Sequence, residues 1–191
     1  MNKKTLLEVA EYNEELQKLS SSFFCGNQFI DNFLKGHESL ETDICKTFVM
    51  LQTYQLGDKT KQEIIGFYSL SSDSVLCFSE LDSIMLEGGA IRIFMFAIDE
   101  RYKHKKIRMN GEKRTYASVL ILDCLNFIDE IVNTYLGAKY IILNSTKEGY
   151  YLYKYTGNFM KLTEDEDLIM SDVAGNGDCV SMYKYIKEDL Y

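Results

Sequence analysis

Residues 96 to 124 read FAIDERYKHKKIRMNGEKRTYASVLILDC, an apolar strand followed by a burst of positive charge and a long amphipathic run. Seven of the chain's 21 Lys and Arg residues fall between Arg101 and Arg114. Apolar residues keep helical phase from Tyr116 to Leu136, and polar residues line the other side. The stretch therefore predicts a buried strand, a basic connection and a helix that ends at Gly137.

A strand, a connection and a helix start in this order are typical of an anion-binding site. The first N–H groups of a helix lack intrahelical partners, and the macrodipole places about half a positive charge at that end. The residues expected there are the helix start and the nearby bases: Lys105, Lys106, Arg114, Thr115, Tyr116, Ala117 and Ser118. The alternative interpretation is a solvated basic loop that binds nothing.

The charge of the rest of the chain limits what such a site can bind. The net charge is −8, and the sequence without residues 101 to 114 carries 14 bases and 28 acids, a net charge of −14. Nucleic-acid binders gain affinity by neutralising many phosphates. Because this acidic background repels a long polyanion, we expect a few phosphates of a small ligand and no nucleic acid.

The order of predicted elements indicates the fold class. The chain has 191 residues, and no Gly/Ser-rich linker or internal repeat divides it, so we expect a single domain over residues 1 to 191. Two helices are followed by four strands, a long helix, a strand, a helix and a strand. This order predicts a mixed α/β (α+β) fold, in which helices pack on a mainly antiparallel sheet.

The remaining elements are predicted from periodicity and from turn residues. Predicted helices cover residues 11 to 19, a segment that begins at the N-cap Asn27, and a tyrosine-rich segment that stops near Gly157. Predicted strands are TFVMLQTY (47–54), EIIGFYSLSS (63–72), DSVLCFS (73–79), GGAIRIFMFAID (88–99), KYIILNST (139–146) and CVSMYKYI (179–186). The first two strands are expected to be adjacent and antiparallel, because a polar turn separates them.

Cysteine and histidine usage argues against a metal site. Five scattered cysteines form no CxxC pair, which disfavours both a disulfide framework and a zinc site and indicates a reducing compartment. The two histidines, His37 and His104, lie far apart in sequence. No segment has the apolar run of a signal peptide or the ~20 apolar residues of a membrane span. We therefore expect a soluble cytoplasmic protein without a metal or a membrane partner.

The segment KEGYYLYKYTGNF, residues 147 to 159, holds four tyrosines. At ~100° per residue, Tyr151 and Tyr155 share one helix face, whereas Tyr150 and Tyr153 lie on another. For any one of them, the default interpretation is a ring packed in the core with its hydroxyl at the edge.

Several motifs together resemble the GNAT N-acetyltransferase family. FFCGNQFIDNFL (residues 23 to 34), KTFV (46 to 49) and IIGFYSLSS (64 to 72) are similar to the opening of one subgroup. That subgroup includes toxins that acetylate aminoacyl-tRNA. The resemblance implies a central, mainly antiparallel sheet with splayed strands and helices on both faces, and it implies acetyl-CoA as co-substrate.

The resemblance also implies cofactor-binding residues. IRIFMFAID looks like the strand whose backbone pairs with the pantetheine arm, which would assign Phe96, Ala97 and Ile98 to that role. The pyrophosphate loop of the family, (Q/R)-x-x-G-x-(G/A), is not intact here in either of two alignments. Aligned by the helix, Thr115 stands at its first glycine and Glu112 at its Gln/Arg, whereas aligned by the strand, Lys103 and Lys106 stand at the Gln/Arg and first-glycine positions. Without that loop, the resemblance implies that the amides of residues 115 to 118 and the nearby bases bind the pyrophosphate. Asn144, on the second strand of the family's cleft, is a candidate for binding cofactor or acceptor.

LYKYTGNF is similar to the family's FY-x-x-x-GF element and aligns Tyr153 with its tyrosine. The implied role is that of a general acid, which protonates the departing thiolate. A phenol and a thiol have similar acidities, so the proton transfer is chemically reasonable. The general base is left open among Asp99, Glu100, Glu148 and water.

Three functions follow from these patterns. The leading one is acetyl transfer from acetyl-CoA to a primary amine of a small-molecule or peptide acceptor. The second is a toxin-type acetyltransferase that acts on aminoacyl-tRNA beside an antitoxin. The third is a non-catalytic CoA-binding module on a degenerate scaffold, which the altered glycine loop favours. A homodimer is left open.

Overall fold

The computed structural model describes residues 5–56, 59–79, 83–109, 111–164, 168–170 and 179–187. The chain divides into two compact units. The first unit combines Met1–Leu70 with Met95–Leu120, and the second combines Ser71–Phe94 with Ile121–Tyr191. The single domain expected over residues 1 to 191 stays a prediction.

The described residues form strands and helices in a mixed order. The strands are β1 (Thr5–Glu11), β2 (Lys46–Leu56), β3 (Lys59–Phe78), β4 (Ile84–Ile98), β5 (Lys106–Met109), β6 (Glu112–Thr115), β7 (Tyr140–Thr146), β8 (Met160–Lys161), β9 (Leu168–Met170) and β10 (Cys179–Tyr185). The helices are α1 (Glu14–Gln17), α2 (Gln28–Lys35), α3 (Tyr116–Thr134) and α4 (Tyr150–Thr156). Among these described helices, none is both long and apolar enough to cross a membrane.

The strands pair in two sheets. The order in the larger sheet is β1-β2-β3-β4-β7-β10-β8, with β9 paired to β3, and β5 and β6 form a sheet of their own. Every pairing with a described register is antiparallel, except that of β4 with β7, which is parallel. The prediction of a mixed α/β fold with a mainly antiparallel sheet is therefore confirmed.

The N-terminus of the first unit differs from the prediction. A helix was expected over residues 11 to 19, but β1 extends to Glu11 and α1 covers only Glu14–Gln17. β1 pairs with β2 along its whole length. Its conformation is therefore set by a partner strand that lies far away in sequence. The Asn13 side chain accepts hydrogen bonds from the N–H groups of Glu15 and Leu16, which begins α1.

The helix predicted after Asn27 is confirmed as α2. The Asn27 side chain accepts from the N–H groups of Phe29 and Ile30 and caps the helix. Just before it, the Cys25 N–H donates to Asp31 Oδ1 at 2.8 Å, and Gly26 has a φ of +87°, which favours glycine. These contacts give a physical reason for the Cys-Gly and Asp positions of this motif. The inner face of α2 joins the core of the first unit, with Phe23, Phe33, Leu34 and Phe67.

The central strands are longer than predicted. β3 runs without a break through the two strands predicted at residues 63–72 and 73–79. β4 begins at Ile84, ahead of the Gly88-Gly89 pair that was expected to start it. Both strands contribute residues to both units.

The basic connection between β4 and α3 contains a hairpin that was not predicted from the sequence. Lys106 pairs with Thr115, Arg108 with Lys113, and Met109 with Glu112, which leaves residues 110 and 111 between the strands. Gly111 has a φ of +87°. The Asn-Gly dipeptide at these two positions is a strong signal for a two-residue turn.

The second unit is built around β7. This strand pairs with β10 over its full length, and in parallel with β4 from Ala90 to Arg92. Its core includes Tyr140, Ile142, Met170 and Tyr183. α4 follows β7 and ends at its C-cap Gly157, as predicted. β9 pairs with β3, and the neighbouring residues 165–167 and 171–178 lie outside the described residues.

Candidate functional site

In the first unit, the end of β4 is held tightly against β3. Ala97 and Ile98 are buried, and a Cβ placed on Gly66 would lie 2.5 Å from Ile98 Cδ1 and 2.7 Å from the Ala97 carbonyl oxygen. The Asp99 N–H donates to the Ile65 carbonyl at 2.8 Å. Phe96, the third residue expected to pair with the pantetheine arm, is half-buried.

The segment that follows β4 is fixed by Asp99. This carboxylate is 1% exposed and accepts two hydrogen bonds from the Arg101 guanidinium, of 2.8 and 3.0 Å. It also accepts from the Phe24 N–H at 3.2 Å. Glu100 forms an ion pair with Lys103 at 2.9 Å. Asp99 and Glu100, two of the general-base candidates, therefore have structural partners within the first unit.

A polar network around the buried Glu63 carboxylate extends to Arg101, whose side chain is 47% exposed. The Tyr102 hydroxyl donates to Glu63 Oε1 at 2.6 Å, and Arg101 donates to Glu63 Oε2 at 3.1 Å. The Tyr54 hydroxyl lies 2.8 Å from that of Tyr102. Burial alone would raise the pKa of Glu63, but the tyrosine hydrogen bonds and the Arg101 charge together hold it below its usual value. Burial and the Glu63 carboxylate raise the pKa of Tyr102.

The first residue of α3 adjoins this network. The Tyr116 ring packs edge-on against the Tyr102 ring, with centroids 5.3 Å apart. Burial raises the pKa of Tyr116, and a hydrogen bond with the Gln52 side chain partly offsets this. Gln52 Oε1 is buried and has no hydrogen-bond partner among the described residues. No sequence pattern predicted this network, because the residues that form it lie on three separate segments.

The N-terminus of α3 is capped by the protein itself. The Ser118 N–H donates to Thr115 Oγ1 at 3.1 Å, and the two hydroxyl oxygens lie 2.8 Å apart. One of the four amides expected to face an anion is therefore already used. Ala117 and Ser118 are half-buried, and Tyr116 is buried.

The three bases expected near this helix start have different surroundings. Lys105 Nζ lies 4.7 Å from the centroid of the Tyr102 ring. Arg114 forms an ion pair with Glu112 at 2.8 Å. Lys106 is exposed at the start of β5 and forms no ion pair with any described residue.

In the second unit, α4 presents its tyrosines in two ways. Tyr153 is buried, whereas Tyr151 and Tyr155 are 64% and 70% exposed and stack on each other at 5.9 Å. The predicted common face of Tyr151 and Tyr155 is confirmed, but the default expectation that such rings pack in the core is wrong for these two. The Tyr153 ring packs edge-on against Phe159, and Gly149 leaves room for it, since a Cβ there would lie 3.1 Å from the Tyr153 ring.

Burial also changes the acidity of Tyr153. It raises the pKa of the Tyr153 phenol, with a smaller contribution from Cys124. The hydroxyl therefore stays protonated at physiological pH. Ordinary pKa values predicted that the acidities of the Tyr153 phenol and the thiol match closely. The raised pKa of Tyr153 makes this match weaker.

Asn144, on β7, is the other candidate in the second unit. It is half-buried, and its Oδ1 accepts a hydrogen bond of 2.8 Å from Ser181 on β10. The Ser145 and Thr146 side chains, next along β7, lie 3.2 and 3.5 Å from the position of a Gly149 Cβ. The strand thus fixes the turn into α4 and the orientation of the Asn144 side chain. Within the described part of the chain, no three His, Cys, Asp or Glu side chains gather as metal ligands.

No protein-family model matches this chain, and no curated protein does. The comparison with solved structures is different. The chain superposes on a bacterial toxin with a TM-score of 0.65 and 20% identity, over 96% of this chain and 92% of the other.

Two further solved structures agree with this result. A mutant of the toxin AtaT gives a TM-score of 0.65 at 14% identity, over 94% of this chain and 89% of that one. The spermidine/spermine N-acetyltransferase SpeG from Vibrio cholerae gives 0.51 at 14% identity, over 95% of both chains. The chain therefore has the fold of the GNAT acetyltransferases, including toxin-type ones.

Proposed function

We propose that this protein transfers an acetyl group from acetyl-CoA to a primary amine of an acceptor. The proposal depends mainly on the burial of Tyr153. It is the only buried tyrosine of the four in α4, and it occupies the tyrosine position of a GNAT-like motif. Its burial keeps the phenol protonated, as a proton donor requires. The shared fold supports the same reaction class.

The proposed reaction needs one proton donor and one proton acceptor. The amine nitrogen attacks the thioester carbon, a C–N bond forms, and the C–S bond of the tetrahedral intermediate then breaks. Tyr153 gives its proton to the departing thiolate, while the amine loses a proton to water. Asp99 and Glu100 are engaged by Arg101 and Lys103, which leaves Glu148 and water of the four candidates, and we assign the second proton to water.

Acetyl-CoA would be held by the groups that the first unit presents. The backbone of Phe96 and Ile98, at the end of β4, is assigned to pair with the pantetheine arm. The N-terminus of α3 would bind the pyrophosphate through the amides of Tyr116 and Ala117, with charge from Lys105 and Lys106. Asn144 is assigned to cofactor or acceptor binding. Ala97, Arg114, Thr115 and Ser118 complete the predicted set of cofactor residues.

Calorimetry with acetyl-CoA tests the cofactor part of the proposal. We expect saturable binding below millimolar concentration, and its absence would refute the acetyltransferase. Release of free CoA is then followed with spermidine and with a lysine-containing peptide as acceptors. Binding without turnover on either amine, or on aminoacyl-tRNA, would favour the non-catalytic module instead.

A toxin-type activity on aminoacyl-tRNA is the second candidate. It is favoured by the similarity to solved toxins at a TM-score of 0.65 and by the exposed bases of the β5–β6 hairpin. The net charge of −8 opposes it, because tRNA would meet repulsion elsewhere on the protein. Mass spectrometry of charged tRNA incubated with the protein and acetyl-CoA would detect the N-acetylated aminoacyl ester.

We also propose a cytoplasmic location for the protein. The five cysteines are free thiols, which suits a reducing compartment such as the cytoplasm. We assign an amine acceptor as the partner of the reaction. A homodimer stays open, and sedimentation of the purified protein would test it.

A further inference from the structure

The β5–β6 hairpin has one face on which every charged residue is a cation. Directly paired residues of an antiparallel hairpin share a face, as do residues two apart on one strand. The register therefore places Lys106, Arg108 and Lys113 on one face, together with the Thr115 hydroxyl. The opposite face carries Ile107, Met109, Glu112 and Arg114. We call the first of these the basic face.

The cations of the basic face are not neutralised by the protein. Lys106, Arg108 and Lys113 are all exposed, and none of them forms an ion pair with any of the described residues. Arg108 and Lys113 lie directly opposite each other. Like charges in that position repel and weaken the pairing of the strands. An anion bound between them would remove this cost.

The opposite face shows a different arrangement. Arg114 donates two hydrogen bonds, of 3.1 and 2.8 Å, to Glu112 Oε2 on the same strand. Its charge is therefore already paired within the protein. Of the bases that surround the hairpin turn, Arg108 and Lys113 are thus better placed than Arg114 to bind an external phosphate.

The position of the basic face suggests which phosphate it binds. β6 ends at Thr115 and α3 begins at the next residue, so the face starts at the helix N-terminus. Along a strand, two residues span about 7 Å, so Arg108 and Lys113 lie one short step beyond Lys106 and Thr115. Acetyl-CoA carries its pyrophosphate and its 3′-phosphate on opposite sides of one ribose. The distance between these two phosphate groups is comparable to the distance between the two residue pairs. The acidic remainder of the chain disfavours a long polyanion.

We propose that Arg108 and Lys113 bind the 3′-phosphate of acetyl-CoA, while the start of α3 binds the pyrophosphate. This inference rests on the proposed function and assigns two residues that neither the motifs nor the family resemblance singled out. It makes the affinity of the cofactor depend on its 3′-phosphate.

The test compares acetyl-CoA with 3′-dephospho-acetyl-CoA by calorimetry on the full chain. For the unmodified protein we expect about tenfold tighter binding of acetyl-CoA, the effect of one charge-assisted contact. In the double variant R108Q/K113Q, acetyl-CoA binding should fall by about tenfold, and binding of the dephospho form should not change. The double variant K18Q/K35Q removes the same charge at exposed sites and should keep the full preference.

The possible failures are distinguishable. If the unmodified protein binds neither compound, both the proposed function and this inference fall. If it binds the two compounds equally, or if R108Q/K113Q weakens both equally, only the inference falls. If R108Q/K113Q keeps the preference but loses retention of bulk tRNA on a filter, the basic face is a nucleic-acid surface and the inference is also overturned.

Discussion

The Tyr102 hydroxyl donates a 2.6 Å hydrogen bond to Glu63, and so links the segment after β4 to the middle of the first unit's sheet. Arg101, the preceding residue, donates to the other carboxylate oxygen. One buried carboxylate therefore holds two neighbouring side chains of the segment that leads into the hairpin. Because both of its oxygens have donors, Glu63 contributes to stability mainly in its ionised form.

Replacement of Glu63 by Gln should reduce stability in a pH-dependent way. Folding lowers the pKa of Glu63 from 4.5, so its contribution is fully present above that pH and is lost as the pH falls through the lowered value. Urea unfolding should show a deficit of about 1–2 kcal/mol at neutral pH that shrinks in acid. Glu130→Gln, at an exposed site on α3, is the control. A deficit for Glu63→Gln that stayed constant down to pH 3 would contradict this account.

Replacement of Tyr153 by Phe should lower turnover without weakening the cofactor complex. Loss of a general acid costs about 10²-fold or more in kcat. The ring, its packing on Phe159 and the space beside Gly149 are all retained, so acetyl-CoA affinity and thermal stability should stay near those of the unmodified protein. Tyr155→Phe removes an exposed hydroxyl from the same helix and should have no effect on kcat. Full activity of Tyr153→Phe would exclude Tyr153 from the mechanism.

The pH dependence of kcat offers a separate test of Tyr153. Burial raises the pKa of this phenol above its usual value of 10.0, so the protonated acid persists beyond the range of an exposed tyrosine. We expect no decline of kcat from this residue up to about pH 10. The measurement is kcat against pH for the unmodified protein and for Tyr153→Phe. A decline centred below pH 10 that disappears in the variant would show that Tyr153 ionises earlier than its burial implies.

Replacement of Gly66 by Ala should destabilise the first unit. The added methyl group would lie 2.5 Å from Ile98 Cδ1 and 2.7 Å from the Ala97 carbonyl oxygen, so the end of β4 must shift. Overpacking of this kind typically costs about 1–3 kcal/mol in the free energy of unfolding. Gly137→Ala adds the same group where no atom lies within 4 Å and should cost much less. Equal stability of the two variants would show that β3 and β4 are less tightly packed than described.

Elements with local signals were predicted well from the sequence. α2 combines an N-cap at Asn27 with apolar residues at helical spacing, and both are properties of the segment itself. The same holds for α3, which begins at Tyr116 as predicted. β1 was not predicted, because TLLEVAE becomes a strand through its pairing with β2, a partner about forty residues away.

The candidate site was predictable only where a motif marked it. Tyr153 was singled out by its spacing to Gly157, and its assigned role remains a prediction. The strands of the hairpin are only four residues long and β6 has no apolar residue, so only the Asn-Gly dipeptide could have revealed it. Glu63 and its partners Arg101 and Tyr102 could not have been found, since a carboxylate in a sequence is most often exposed and the burial of Glu63 depends on contacts between distant segments.

The separate sheet formed by β5 and β6 has a consequence for hydrogen exchange. A two-stranded hairpin that is not extended by further strands is only marginally stable, and repulsion between Arg108 and Lys113 weakens it further. Its backbone amides should therefore exchange with deuterium faster than those of β2 or β7. A ligand that neutralises the basic face would slow that exchange, which makes the hairpin a built-in reporter of occupancy that needs no catalytic turnover.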